Sequence, residues 1–211
     1  MSDRERVAQG PPSTSLEGFP THVVAPTTDL FRAHAAAFGP WWFGNEGGGR
    51  FDLPSPRGTC YTALDPGSAV RERVGPVLGG ATAVPESLLE DVVVSRLRLP
   101  EGRVVADLQS SAAGDHGVTR ELETMVPYAV PQVWAQAFDR AGHAGVRYGP
   151  RFTPGERSAV ALFDDEGAKA WPADPEPVRA AAAPGAPAVL PTPRRRDLTV
   201  VRPPRTRVPP S

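Results

Sequence analysis

The run Gly47-Gly48-Gly49-Arg50-Phe51 places a guanidinium directly after three glycines. Backbone without side chains can approach a ligand closely, and an arginine fork beside it suits a phosphate. The plainer reading of the same run is a flexible turn with a surface arginine. Tyr61 stands in the apolar run Thr59-Cys60-Tyr61-Thr62-Ala63, where tyrosine is ordinarily core. Glu72 stands between Arg71 and Arg73, where a carboxylate is ordinarily solvated, and Ser158 opens the apolar run Ser158–Phe163. Singly, none of these residues demands chemistry. Other chemistries lack their motifs. The histidines His22, His34, His116 and His143 have no metal-ligand spacing, and Cys60 is the single cysteine, so a thiolate zinc site is not indicated. There is no G-x-G-x-x-G or P-loop run.

The elements that must position these residues follow from pattern. Leu30–His34 and Thr59–Ala63 read as strands, each bounded by turn residues. Asp65-Pro66 is a helix start, a capping acid followed by proline where its missing N–H costs nothing. That helix is expected from Pro66 to Val74, ending at Gly75-Pro76. Asp91–Leu99 and Arg103–Leu108 read as strands joined at Pro100-Glu101-Gly102. Val118–Met125 reads as a short helix. Pro131–Ala141 reads as a longer one, with Val133, Trp134, Ala137 and Phe138 on its buried face. Gly145–Tyr148 and Ser158–Phe163 close the set as strands. Many short strands and few helices in mixed order imply an α+β fold, a compact mixed sheet with short helices.

Length and composition bound the rest. A chain of 211 residues is one domain plus tails. Residues 1–18 read as a disordered leader and 19–171 as the folded domain. Residues 172–211 hold 11 prolines and seven arginines against three acids, and read as a disordered Pro/Arg-rich tail. A net charge of −1 argues against nucleic-acid binding by the folded domain. One cysteine excludes a disulfide scaffold. No apolar run reaches the roughly 20 residues that span a bilayer, and the first 16 residues hold no signal-peptide apolar region. The expectation is a cytoplasmic protein with no membrane association.

As a set, the motifs are more specific. Leu30-Phe31-Arg32, Gly49-Arg50-Phe51-Asp52, Cys60-Tyr61-Thr62-Ala63 and Ala69-Val70-Arg71-Glu72 resemble the RES-domain family, named for an arginine, a glutamate and a serine. Arg50, Tyr61 and Glu72 are each eleven residues apart. Ala141–Tyr148 resembles the family's late turn into a strand, and Ser158–Phe163 its closing serine strand. The resemblance covers about residues 29–163. It implies a fold similar to ADP-ribosyltransferases and the role of toxin in a bacterial toxin–antitoxin pair.

The resemblance implies NAD⁺ as substrate rather than cofactor. Nicotinamide would leave, and the ADP-ribosyl group would pass to inorganic phosphate as co-substrate, or to water. Glu72 would face the oxocarbenium-like ribose. Arg32 and Arg50 would bind the pyrophosphate, Tyr61 would stack by the nicotinamide ring, and Ser158 would make one hydrogen bond to the substrate. Asp52, Arg57 and Arg147 lie close to these motifs, and their plainer reading is as surface charges. The family also implies a cognate Xre-type antitoxin. Two other readings use the same residues: an ADP-ribosyltransferase acting on a macromolecule, and a non-catalytic RES-like binding module.

Overall fold

The computed structural model describes residues 8–78 and 81–193, together with 196 and 199. In chain order the elements are β1 (Thr21–Val24), β2 (Leu30–Ala35), β3 (Trp42–Phe43), β4 (Arg57–Ala63), α1 (Pro66–Leu78), β5 (Ala83–Pro85), β6 (Val92–Leu97), β7 (Arg103–Asp107), α2 (Ala129–Arg140), β8 (Gly145–Tyr148), β9 (Ala159–Asp165), β10 (Gly167–Ala168), β11 (Val178–Arg179) and β12 (Ala188–Leu190). Short 3₁₀ turns lie between some of them, including Ser111–His116 and Arg120–Glu123. The fold is a large mixed sheet with few short helices, as the mixed element order implied.

Eight strands form that sheet, in the order β1-β7-β8-β9-β4-β2-β6-β11. The β7–β8 pair is parallel and the other pairs are antiparallel. β4 and β9 are the long central pair, in register from Arg57 opposite Asp165 to Ala63 opposite Ala159. Successive side chains in these strands alternate between faces. Ala159, Ala161 and Phe163 join one core cluster with Trp134 and Phe138 of α2, while Val160 and Leu162 join another with Cys60 and Phe43. Helix α1 sends Val70 and Val74 into a third cluster with Val84, Val92 and Val94.

Four expectations need correction. Helix α1 does not stop at Gly75-Pro76 but runs on to Leu78 with Pro76 inside it. Proline forfeits its own backbone N–H bond and crowds the carbonyl four residues back, and with Pro76 two residues from the helix end only Val77 and Leu78 follow the disturbed turn. Helix α2 buries Pro131, Trp134, Ala135 and Phe138, leaving Val133 40% exposed. The helical repeat is kept, rotated by about one position from the expected face. β6 and β7 are consecutive in the chain but not neighbours in the sheet. β6 takes β2 and β11 as partners instead.

The fourth correction concerns the ends. Within the expected leader, Gln9 is buried, and its side-chain oxygen accepts the N–H of Thr119 at 2.7 Å. Trp134 Nε1 donates to the Gly10 carbonyl at 2.8 Å. Within the expected tail, β11 pairs with β6, β12 pairs with β5, and Ala180 and Ala183 are buried in the same core cluster as Val70 and Val74. Strands of two or three residues at a sheet edge need few N–H donors, so dense proline does not forbid them. Residues 1–7, 194, 195, 197, 198 and 200–211, to which the disorder expectation also applied, lie outside the described residues.

Candidate functional site

One face of the β2–β4–β9 sheet carries a cleft. Phe31, Ala33, Tyr61, Ala63 and Ala159 line it from the strands, and Ala63 pairs with both Phe31 and Ala159. Helix α1 contributes Ala69, Glu72, Arg73 and Pro76. These recur at three- and four-residue spacing, on the face turned away from buried Val70 and Val74. The turn before β4 contributes Gly48, Gly49, Arg50 and Asp52. The cleft volume is about 420 Å³, which falls within the range for small-molecule and cofactor sites.

The turn that presents Arg50 is held from below. Asp52 Oδ2 accepts the Gly49 N–H at 2.8 Å, and the Tyr61 hydroxyl donates to Asp52 Oδ1 at 2.8 Å. The same hydroxyl accepts the Phe51 N–H at 2.7 Å. Thr59 Oγ1 donates to the Phe51 carbonyl, and Gln132 Nε2 donates to the Gly49 carbonyl. A side chain at Gly49 would collide with the Tyr61 ring and the Asp52 carboxylate. Glycine there is a packing requirement, not a licence for flexibility. Tyr61 therefore has a structural duty besides lining the cleft. Burial, then the Asp52 charge, pushes its phenol well above the usual range, so it stays a neutral donor.

Arg50 is 7% exposed and forms no ion pair among the described residues. Its guanidinium carbon lies 5.4 Å from the centre of the Tyr128 ring, and its Nε is buried without a hydrogen-bond partner. A buried guanidinium without a carboxylate partner is costly in a purely structural role and suited to receiving an anion.

Glu72 stands on α1, whose start is fixed by Asp65. Asp65 accepts the Ser68 N–H at 2.8 Å and the Ser68 hydroxyl at 2.6 Å, the cap expected from sequence. Glu72 Oε1 accepts the Phe152 N–H at 2.6 Å. Phe152 packs over Gly75, where any side chain would collide with its ring. Burial raises the Glu72 pKa, opposed by the backbone N–H groups of Phe152 and Arg151 and by the positive charge of Arg50 and Arg151.

Arg32 also lines the cleft, but its Nη1 donates to the carbonyls of Pro40 and Trp42 at 2.8 and 2.9 Å and approaches Cys60 Sγ at 3.1 Å. It anchors the chain leading into β3. Ser158 is not brought to the site. Its hydroxyl donates to Gln109 Oε1 at 2.5 Å and accepts from Arg147 Nη2 at 3.1 Å, and Arg147 in turn pairs with Asp107 at 3.0 Å. It is Ala159, one residue on, that lines the cleft.

The model of the RES domain matches residues 29–184, well over half of the chain. The chain belongs to the RES-domain family. Among solved structures, this RES domain is similar to the MbcT toxin in the crystal structure of the M. tuberculosis MbcT–MbcA toxin–antitoxin complex. The TM-score is 0.53 at 17% sequence identity, over 67% of this chain and 76% of that one. That likeness is one of fold. No curated protein matches. The family match extends past residue 171, in keeping with the packing of the 172–184 stretch in the structure.

Other groups in and around the RES cleft complete the site. Asp52 clamps the arginine turn and is not the surface charge of its plainer reading. Tyr128, Tyr148 and Phe152 also line the cleft, and Tyr148 is buried, with its phenol pushed up by burial and then by the Glu72 charge. The Tyr148 position at the end of a strand was visible in the sequence. Glu123, buried near Gly149, had no local signal at all.

Proposed function

We propose that this RES domain cleaves the nicotinamide–ribose bond of NAD⁺ by phosphorolysis, giving nicotinamide and ADP-ribose 1''-phosphate, as a toxin-type NAD⁺-degrading enzyme of the cytoplasm. The observation that carries the reading is the pairing of Arg50 and Glu72 on one cleft. One is a buried cation without a carboxylate partner, and the other is a carboxylate with one oxygen engaged by backbone. A dinucleotide with a cationic nicotinamide ring needs both: a fork for its phosphates and a negative group near its ribose.

The chemistry balances without a strong general acid. The C1''–N bond breaks, its electron pair passes to the pyridinium nitrogen, and neutral nicotinamide leaves. The oxocarbenium-like ribose then takes an oxygen of hydrogenphosphate, whose proton goes to solvent. Glu72, ionised, stabilises the developing cation and accepts a ribose hydroxyl. Arg50 and Arg32 hold the pyrophosphate, or Arg50 the incoming phosphate. Tyr61 keeps the Arg50 turn in place and offers its ring to the nicotinamide side. Ser158 has no role in this scheme.

The family match and the likeness of fold to a toxin support the reading, and with it goes a cognate antitoxin as partner, of the Xre type that the family resemblance implies. The test is incubation of the purified chain with NAD⁺, with and without inorganic phosphate, followed by mass spectrometry of nicotinamide and the ribosyl product. Phosphate-dependent release with ADP-ribose 1''-phosphate is expected. Release at the same rate without phosphate would replace phosphorolysis by hydrolysis or transfer to a macromolecule. No release from folded protein would leave a binding module.

A further inference from the structure

Residues 149–152 hang between two glutamates. At one end, Glu123 Oε1 accepts the Gly149 N–H at 2.9 Å. At the other, Glu72 Oε1 accepts the Phe152 N–H at 2.6 Å, and the Phe152 ring seats over Gly75. Between them Pro150 is buried and its ring locks one backbone dihedral, so the link is short and stiff. Glu123 does not line the cleft. It is only 3% exposed, yet its other partner is Arg120, 3.6 Å away with a side chain 86% exposed. An ion pair to so exposed a cation is weak. Burying a carboxylate for one backbone N–H is a poor way to stabilise a fold, and such groups collect around functional sites.

We infer that Glu123 is a positioning residue: by holding the Gly149 N–H it fixes the stiff segment 149–152, whose far end orients and encloses the Glu72 carboxylate. The consequence for turnover rests on Glu72 being the reacting group proposed above. The consequence for Glu72's surroundings does not. The charged or titratable groups that face Glu72 are Arg50 from the glycine turn, Arg151 from the segment itself and Tyr148 from β8. Only Arg151 moves if the segment is released.

The experiment compares the full chain with Glu123→Ala and Glu123→Gln, and follows the Glu72 carboxyl by NMR of ¹³C-labelled glutamate. The resonance is assigned by its loss in Glu72→Gln. In Glu123→Ala the Glu72 midpoint moves, because the loosened segment supplies part of the burial that raises it and, through the Phe152 and Arg151 backbone N–H groups and the Arg151 charge, much of what opposes that rise. In the same variant kcat falls about 10–100-fold, the scale expected for a displaced catalytic group, with KM changed far less because Arg50 keeps its turn. Glu123→Gln, whose amide oxygen accepts the same N–H, restores both. A folded Glu123→Ala with an unmoved Glu72 midpoint overturns the inference. Should Glu123→Ala fail to fold, Phe152→Ala loosens the segment from its other end and must shift the midpoint, and an unmoved midpoint is again fatal. If the wild type does not cleave NAD⁺ but the midpoint still shifts, the positioning role stands and the proposed reaction falls.

Discussion

Two polar clusters, each with an arginine and a hydroxyl, lie on this sheet and do opposite things with them. In the Asp107–Gln109–Arg147–Ser158 cluster the terminal groups are engaged by one another: Arg147 binds both Asp107 oxygens and the Ser158 hydroxyl, and that hydroxyl binds Gln109. In the cleft, Arg50 has no carboxylate partner among the described residues, and the Tyr61–Asp52 pair is devoted to holding the turn that presents it. Both arginines bury an unpartnered Nε, so that feature does not separate them. What separates them is whether the charge has already been answered. A satisfied network is architecture, and a supported but unanswered charge beside a carboxylate is a site.

The contrast is broken or sharpened by four measurements. The largest effect is expected from Glu72→Gln, which keeps the shape and removes the charge. NAD⁺ turnover should fall by about 10²–10³-fold, the scale of losing one electrostatic stabiliser of a transition state. A folded Glu72→Gln with wild-type turnover would remove the carboxylate from the chemistry. The next effect is smaller. Arg50→Lys keeps a charge but loses the fork, and kcat/KM should fall about 10–100-fold, from the roughly 1.5–3 kcal/mol of a charge-assisted hydrogen bond. Equal kcat/KM in the two proteins would mean that a point charge suffices there.

The third measurement is pH. Because the Glu72 pKa is raised in the fold by burial, the acid limb of kcat/KM should lie above the ordinary glutamate value, with activity lost as pH falls through it. The stability sign runs the other way. A folded-state pKa above the unfolded one means a contribution present at low pH and lost as pH rises through the folded value. At neutral pH, then, Glu72→Gln should melt no lower than wild type, and higher if burial dominates as it does in the pKa. A clear drop in Tm would show that ionised Glu72 supports the fold. The smallest catalytic effect belongs to the paired cluster. Ser158→Ala should leave turnover within about twofold while costing about 1 kcal/mol in a urea titration, as for a lost internal hydrogen bond. A hundredfold loss of turnover would reinstate Ser158 and undo the contrast.

Much of the architecture was legible. The β2, β4, β8 and β9 cores, the Asp65 cap and the beginning of α1 follow from alternation and local capping chemistry, which need only neighbours in the chain. Arg50 and Glu72 were legible as types in a spaced set. Ser158 was misplaced for a reason particular to strands. The side-chain period is two, so a one-residue shift moves a hydroxyl from the cleft face to the other, and it is Ala159 that faces the cleft. The ends were misread because proline density predicts what a segment cannot do in a regular interior, not whether its alanines can join a core. Ala180 and Ala183 are buried, in the same core cluster as Val70 and Val74.

By itself, then, the sequence determined where β2, β4, β6 to β9 and the capped start of α1 lie and which residue types stand at the eleven-residue spacing, because those depend on local backbone preferences. Only the tertiary structure decided that Asp52 and Tyr61 serve Arg50 rather than the substrate alone, that Glu72 is sheltered by a segment 80 residues away in the chain, and that Glu123 holds the other end of that segment. Those facts are hydrogen bonds and burial between residues distant in sequence. Which backbone N–H a buried carboxylate meets is set by how the sheet and α1 pack together, and no local pattern encodes it.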